Sequence, residues 1–467
     1  MNEKAKYLIK NVGILTISNF ASKILVFLLV PLYTSVLSTD EVGIYDLAIS
    51  TIQFVFPILT LNIVDALMRF LMDKSKSKEE VASIGIRYVV NSLLPVLLFL
   101  IVSSKIDALS SIHGFEILIF LYYLFNCFNQ YMIQFAKGIE KVSAMGVAGI
   151  LGTVAMLTAN IVLLLVVKAG LPGFFIANIL GQAIPATYLF FRTKLLTYIN
   201  FGSINKNLQK EMLIYCVPLI ATAVGWWVNS AFDKYVVSFI CGVAANGILS
   251  VSYKIPAIIN TLQQIFTQAW QISAVKEYGE KRTSEFYGRT FSVLNVFMAA
   301  ACSVLIIIAN PIGHVLYQKE FYTAWQYVPF LLIASVLNSA SGFLGPILSA
   351  KKASKPMAMS AVYGACANVV MNIAFVYLIG IQGATIATVI SSFIIYWVRK
   401  RAVGDEIKIE CYGIVLITWL LLIIQAVFEI YTPFWWAELI LMIIMIAINW
   451  NGIKQILSMG KSILHRR

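Results

Sequence analysis

The sequence predicts an all-α integral membrane protein of about 14 transmembrane helices, built as two parallel six-helix repeats around a central cavity with two additional C-terminal helices. Three observations predict it. Of 467 residues, 60 % are hydrophobic and only 12 % charged, where soluble domains carry about 25 % charged residues, and the mean hydropathy is +0.84. The apolar residues fall in runs of ~20, each able to cross a ~30 Å hydrocarbon core as a helix, without the short alternating segments of a membrane β-barrel. Landmarks of the first half also return in the second.

Taken in order, the spans lie at approximately 11–33, 42–71, 81–102, 115–137, 142–167, 172–192, 212–240, 247–275, 289–310, 325–350, 357–379, 384–399, 411–430 and 434–450. The first follows the basic MNEKAKYLIK. Its apolar run is too long for a signal-peptide core, has no small-residue cleavage site and carries Lys23, so it reads as an uncleaved span. KSKSK (74–78) separates spans 2 and 3, EKR (280–282) follows span 8, KKASK (351–355) follows span 10 and RKR (399–401) closes span 12. The tail NGIKQILSMGKSILHRR reads as a basic amphipathic helix on the inner membrane surface.

A net charge of +13 raises the possibility of nucleic-acid binding, but the distribution of the cations answers it. With the N-terminus inside, most Lys and Arg fall in the termini and inner loops, and only Lys105, Lys168 and Lys319 fall in outer loops. That asymmetry is the positive-inside rule, so the charge records topology, with both termini cytoplasmic and no nucleic-acid partner. The six cysteines (127, 216, 241, 302, 366 and 411) have no pairing or metal spacing, and His113, His314 and His465 are isolated. No metal site is expected.

The repeat is read from a frame of small residues. GLPGFFIANILG (170–181) and GIQGATIAT (380–388) share Gly-x-x-Gly-x-x-Ile-Ala. EVGIYDLAIS (41–50) faces ANGILSVSYK (245–254), KVSAM faces KPMAM, and Asn160-Ile161 faces Asn372-Ile373, in one order and at nearly one offset. Six spans per copy is an even number, so the copies enter from the same side, the parallel-repeat plan of several transporters. The expected organisation is an N-terminal lobe over 1–210, a second over 211–403, and two helices with a basic tail over 404–467. Gly173, Ala177 and Gly181 recur every four residues, as do Gly383, Ala387 and Ser391, a period that lets helices approach closely in lipid. The corner therefore reads as packing, and function is sought elsewhere.

Charged residues at membrane depth cost ~2.5–3.5 kcal/mol each on insertion scales and need a partner, water or an exit. Lys23 lies ~18 Å along its helix from Asn11 and shares a face with Asn19. On span 8, Ser250, Lys254, Thr261, Gln264, Gln268 and Gln271 follow three- and four-residue steps, a polar stripe down the helix. Span 2 gives Asp46, Ser50 and Gln53 in phase with it, and span 7 adds Trp226, Asn229, Asp233 and Lys234. These read as the lining of a hydrated lumen, against the alternative of hydrogen-bonding seams in a closed bundle. Asp65 and Arg69 form an i,i+4 pair at the inner end of span 2, either a snorkelling pair or a cytoplasmic mouth. Trp226, on a polar stripe, is the tryptophan considered for sugar stacking. The deepest charges are lysines, which suits an anionic phosphate or diphosphate head group.

NVGILTISNFASKILVFLLVPLYTSVLSTDEVGIYDLAIS, the Asn372–Thr388 stretch and the two six-helix halves resemble polysaccharide and O-antigen (Wzx-type) flippases of the multidrug/oligosaccharidyl-lipid/polysaccharide exporter superfamily. The resemblance runs over essentially the whole chain. It implies a bacterial inner-membrane transporter, not an enzyme, that turns an undecaprenyl-diphosphate-linked oligosaccharide from the inner to the outer leaflet by alternating access. It further implies a cationic lumen to which Lys23 and Lys254 correspond by helix and depth, and Lys234 and Arg69 more loosely. No cofactor is expected; H+ or Na+ is the expected coupling ion, and membrane lipids and other polysaccharide-assembly membrane proteins are expected partners. Asp46 keeps a cation-coupled drug exporter as the alternative. A glycan polymerase or ligase, the reading from another class, would need a long outer loop that this sequence lacks.

Overall fold

The computed structural model describes residues 27–106, 112–200, 202, 205–280, 282–409, 412–432, 434–450, 452 and 454. Lys23, Asn19, most of span 1 and the expected amphipathic tail lie outside the described residues. The described elements are helices: α1 (Val30–Val36), α2 (Thr39–Leu59), α3 (Ile63–Leu71), α4 (Lys78–Ser103), α5 (Glu116–Gly138), α6 (Val142–Asn160), α7 (Gly170–Thr193), α8 (Lys206–Cys241), α9 (Val243–Ser252), α10 (Pro256–Lys276), α11 (Thr283–Ile307), α12 (Ala309–Leu316), α13 (Val328–Ala350), α14 (Ser354–Ile379), α15 (Ile381–Val403), α16 (Tyr412–Tyr431) and α17 (Trp435–Ile448). Among the described residues, ten helices are long and apolar enough to cross a membrane, and α9 and α17 are shorter apolar helices. The protein is a multi-pass membrane protein, and spans 2 to 14 all fall on helices.

Two expected spans are broken. Span 2 divides into α2 and α3 at Thr60–Asn62, where Leu61 and Asn62 take left-handed φ values of 49° and 51° and the Asn62 N–H bonds the Pro57 carbonyl at 2.8 Å. Pro57 lies inside α2, and the helix ends two residues beyond it at Leu59. Span 8 divides at Tyr253–Ile255, because Pro256 opens α10 as its first residue. The continuous stripe expected along span 8 is therefore two pieces, and Lys254 stands in the joint between them. The two breaks do not occupy matching positions in the repeat.

Contacts divide the chain into two compact units, Met1–Ala231 and Phe232–Arg467. In the first, Ser38 caps α2 in a reciprocal box with Glu41, and α5 is held to α7 by Asn129 Nδ2 donating to Gln182 Oε1 at 2.7 Å. Tyr131 Oη donates to the buried Ala82 carbonyl at 2.9 Å, joining α5 to α4. In the second unit α13 is the most enclosed span and takes α10, α11, α15 and α16 around it. The C-terminal helices attach through interhelical hydrogen bonds: Trp419 Nε1 to Asn295 Oδ1 at 2.8 Å, Gln425 Nε2 to the Ser303 carbonyl at 3.1 Å, and Asn449 Nδ2 to Thr418 Oγ1 at 2.8 Å. In lipid, where apolar burial drives no helix association, such bonds and close packing supply the attraction.

The repeated corner is a packing device in both units. Gly170 and Gly380 turn the chain with φ values of +57° and +64°, a conformation that glycine adopts without steric cost. A Cβ on Gly383 would lie 2.2 Å from the Phe375 carbonyl carbon and oxygen, so α14 and α15 touch backbone to backbone. The echo extends to hydrogen bonding: Asn160 Nδ2 donates to the Met156 carbonyl at 2.8 Å and Asn372 Nδ2 to the Asn368 carbonyl at 3.0 Å, each four residues back and each buried. Gly383→Ala is expected to cost about 1–3 kcal/mol, the usual overpacking penalty. Gly149→Ala, whose Cβ meets nothing within 4 Å, should cost nothing. Melting of the detergent-solubilised variants compares them, and equal melting would deny the close approach.

Candidate functional site

The polar stripes separate by chemistry once they are folded. Ser250 Oγ donates to the Gly247 carbonyl at 3.0 Å and Thr261 Oγ1 to the Ala257 carbonyl at 2.7 Å, and both residues are buried. Hydroxyls three or four residues from a helical carbonyl satisfy themselves on their own helix, so they ask for no water. Ser50 is buried as well, and its carbonyl accepts the Trp227 indole N–H at 2.7 Å, with Trp227 packed on Phe54 at 4.5 Å between ring centroids. These three side chains are buried within their units.

The glutamines differ. Gln264, Gln268 and Gln271 are exposed on one face of α10, four and three residues apart and therefore one above another. The rest of α10 explains why this face is outward. Gln263 Nε2 reaches the Asn338 carbonyl at 3.1 Å, and the buried Trp270 donates to the Phe343 carbonyl at 2.8 Å while stacking on the Phe343 ring at 4.2 Å. Those contacts seat α10 on α13 and fix its rotation. A primary carboxamide transferred to hydrocarbon without a partner costs roughly 2–7 kcal/mol, so an exposed row of three needs hydrogen-bonding partners. α10 is also not among the helices apolar enough to qualify as a span. Lys254, half-buried in the joint, stands at the N-terminal end of the same helix.

Asp233 is buried on α8. Its carboxylate accepts the Tyr253 hydroxyl and the Lys234 backbone N–H at 2.9 Å, which binds α8 to the joint carrying Lys254. Lys234 is half-buried beside it. Asn229, also half-buried, donates Nδ2 to the Gly225 carbonyl at 3.0 Å. Trp226 is 72 % exposed, whereas its neighbour Trp227 is the one engaged in packing.

In the first unit Asp46 is half-buried and Gln53 exposed on α2. The expected Asp65–Arg69 pair does not form. Asp65 instead accepts Asn62 Nδ2 at 2.9 Å and Gln134 Nε2 at 3.5 Å, because the kink at Leu61–Asn62 brings the Asn62 amide over it. Arg69 is exposed on α3.

Two residues carry more than the sequence suggested. Tyr253 lies between Ser250 and Pro256 and was hidden by the assumption of a straight helix. Arg399, read as part of a loop charge run, sits within α15 and donates to Ser360 Oγ and to the Ser341 carbonyl, both at 3.0 Å. Its spacing of seven residues from the buried Ser392 was the available signal.

A profile of the family described as polysaccharide biosynthesis protein matches residues 8–271. No curated protein sequence matches the chain. Among solved structures the chain is similar to a lipid II flippase, MurJ, in an inward closed conformation, with TM-score 0.69 and 15 % identity over 95 % of this chain and 99 % of that one. It is similar to an inward-facing multidrug resistance MATE family transporter of the MOP superfamily, with TM-score 0.67 and 13 % identity over 82 % and 95 % of the two chains. A MOP superfamily transporter from Pyrococcus furiosus, described by the reverse polarity of its binding pocket, gives TM-score 0.57 and 14 % identity over 91 % and 97 %. At these identities the likeness is one of fold.

Proposed function

The chain belongs to the polysaccharide biosynthesis protein family, and on that premise we propose that it is a flippase. Its substrate would be an undecaprenyl-diphosphate-linked oligosaccharide, moved from the inner to the outer leaflet of the bacterial inner membrane by ion-gradient-driven alternating access. On this reading the chain forms lobes over 1–210 and 211–403, with 404–467 appended, and both termini are cytoplasmic. The observation that carries the proposal is the exposed row Gln264, Gln268 and Gln271 with Lys254 at its head. Carboxamides offer both donors and acceptors to sugar hydroxyls, and an ammonium is a compact partner for diphosphate. The polyprenyl tail needs no protein site of this kind, since the bilayer already dissolves it. Lys23, Lys234 and Arg69 are proposed as further cations of the path and Asp46 as a polar lining group.

Purified protein in liposomes containing a fluorescent undecaprenyl-diphosphate-linked sugar tests it. Label should become reachable from the opposite leaflet with the protein and not without it. Loss of a hydrogen bond to a charged group costs ~1.5–3 kcal/mol, so Lys254→Ala should slow transfer by roughly tenfold or more, while Lys254→Arg retains most of it. Absence of transfer by the active-folded protein under any imposed ion gradient, or transfer indifferent to Lys254→Ala, would overturn the reading.

A further inference from the structure

We propose that Glu429 and Glu438 form a proton-binding site that clasps the C-terminal helix hairpin: one proton held between two carboxyls fastens the end of α16 to the start of α17. Glu429 lies in the last turn of α16 and Glu438 in the first turn of α17, with only residues 432–434 between the helices. Their carboxyls stand close enough across the hairpin to interact. Two carboxylates offer only acceptors, so a hydrogen bond between them requires one of them to carry a hydrogen.

The surroundings agree. Glu438 is 2 % exposed, and its Oε2 has no hydrogen-bonding partner among the described residues. An ionised carboxylate buried with an empty oxygen is very costly, whereas a carboxylic acid is a neutral polar group. Among the described residues neither of the ion pairs Lys76–Glu211 and Lys351–Glu406 involves either glutamate. Glu429 Oε1 accepts the Asn310 backbone N–H of α12 at 3.3 Å. The Asn310 side chain in turn accepts Tyr322 Oη at 2.9 Å, and Tyr322 bonds His314 Nε2 at 2.7 Å.

The other titratable groups on the packed elements are few. α16 adds Tyr431 at this end and Tyr412 at the other, and α17 carries Glu438 alone. α12 carries His314, and the 3-10 segment Lys319–Tyr327 carries Lys319, Glu320, Tyr322 and Tyr327. α11 has Cys302 towards this end and Glu285, Tyr287 and Arg289 at the other; α13 has none. None of the lysines or arginines is bonded to the pair. The proton belongs to the pair jointly. When it leaves to water, two like charges meet in a poorly hydrated contact, and the helix ends separate.

The test uses the full chain in lipid nanodiscs, followed by infrared spectroscopy from about pH 5 to pH 10, a range chosen to exceed the ordinary carboxyl range near 4.3. Wild type should show a protonated-carboxyl stretching band at neutral pH. The E429Q/E438Q double variant, whose amides can keep the mutual hydrogen bond, should lack that band. Spin labels at positions 431 and 435 should separate as the band disappears at alkaline pH in wild type and stay fixed in the double variant. Identical neutral-pH bands in the two proteins would overturn the proposal. So would an ionised pair bridged by sodium, seen as no protonated band and a label distance that follows sodium concentration.

Discussion

Replacing Gln264, Gln268 and Gln271 together by leucine is expected to abolish leaflet transfer while leaving the protein folded. All three side chains are exposed on one face of α10, while Gln263 and Trp270 make hydrogen bonds from α10 to α13. If each contributes about 1 kcal/mol of hydrogen bonding to a sugar or to ordered water in the path, losing three costs ~3 kcal/mol, a fall of roughly a hundredfold. The leucines would also make the path apolar, inviting lipid tails where a hydrated oligosaccharide must pass. The melting temperature should not fall, because exposed leucine is tolerated against hydrocarbon. The opposite result is equally informative: transfer at wild-type rate with improved insertion would place this face against lipid and remove the observation on which the proposed function rests. Single variants should each show a several-fold loss, and their product should approximate the triple variant if the contacts are independent.

How much of this is legible in the sequence varies with the kind of signal. The helices from residue 39 onward were legible because the hydrophobic period and the loop charges are properties of whole segments, and a window of ~20 residues averages over local error. The breaks at Thr60–Asn62 and Tyr253–Ile255 were not, for the same reason. Pro57 and Pro256 were visible, yet proline in a membrane helix is often absorbed as a kink, and only the backbone tells which outcome occurred. The stripe on span 8 mixed two chemistries that a polarity count treats alike. Ser250 and Thr261 carry short hydroxyls that fold back on their own helix, whereas a glutamine amide is held too far from its backbone to do so. The long amides are the half of the stripe that stays exposed. Asp233 was named as a polar lining residue and is buried; its partner Tyr253 could be found only from the broken helix. Lys23, the deepest cation expected from the sequence, lies outside the described residues.

Trp270→Ala is expected to produce the largest loss of stability of any single change discussed, and to lower transfer with it. Trp270 is 3 % exposed, stacks on Phe343 at 4.2 Å with the rings 16° from parallel, and meets Tyr287 edge-on at 5.5 Å. Its indole N–H satisfies the Phe343 carbonyl at 2.8 Å. Removing a buried tryptophan side chain costs about 3–5 kcal/mol in soluble cores. The packing part of that cost survives in a membrane, where van der Waals fit drives helix association. The functional consequence follows from position. Gln268 and Gln271 flank Trp270, so the contact that seats α10 on α13 also sets the direction in which the glutamines point. Without it α10 can roll, and the amides lose their alignment. Trp270→Phe separates the two effects: it keeps a stacking ring but removes the indole N–H from the Phe343 carbonyl, a loss of ~1 kcal/mol. It should melt between wild type and the alanine variant while transferring substrate at close to the wild-type rate. If instead Trp270→Ala melts like wild type, α10 is held by something other than this stack. If Trp270→Phe loses transfer as completely as Trp270→Ala, the indole N–H rather than the ring orients the helix.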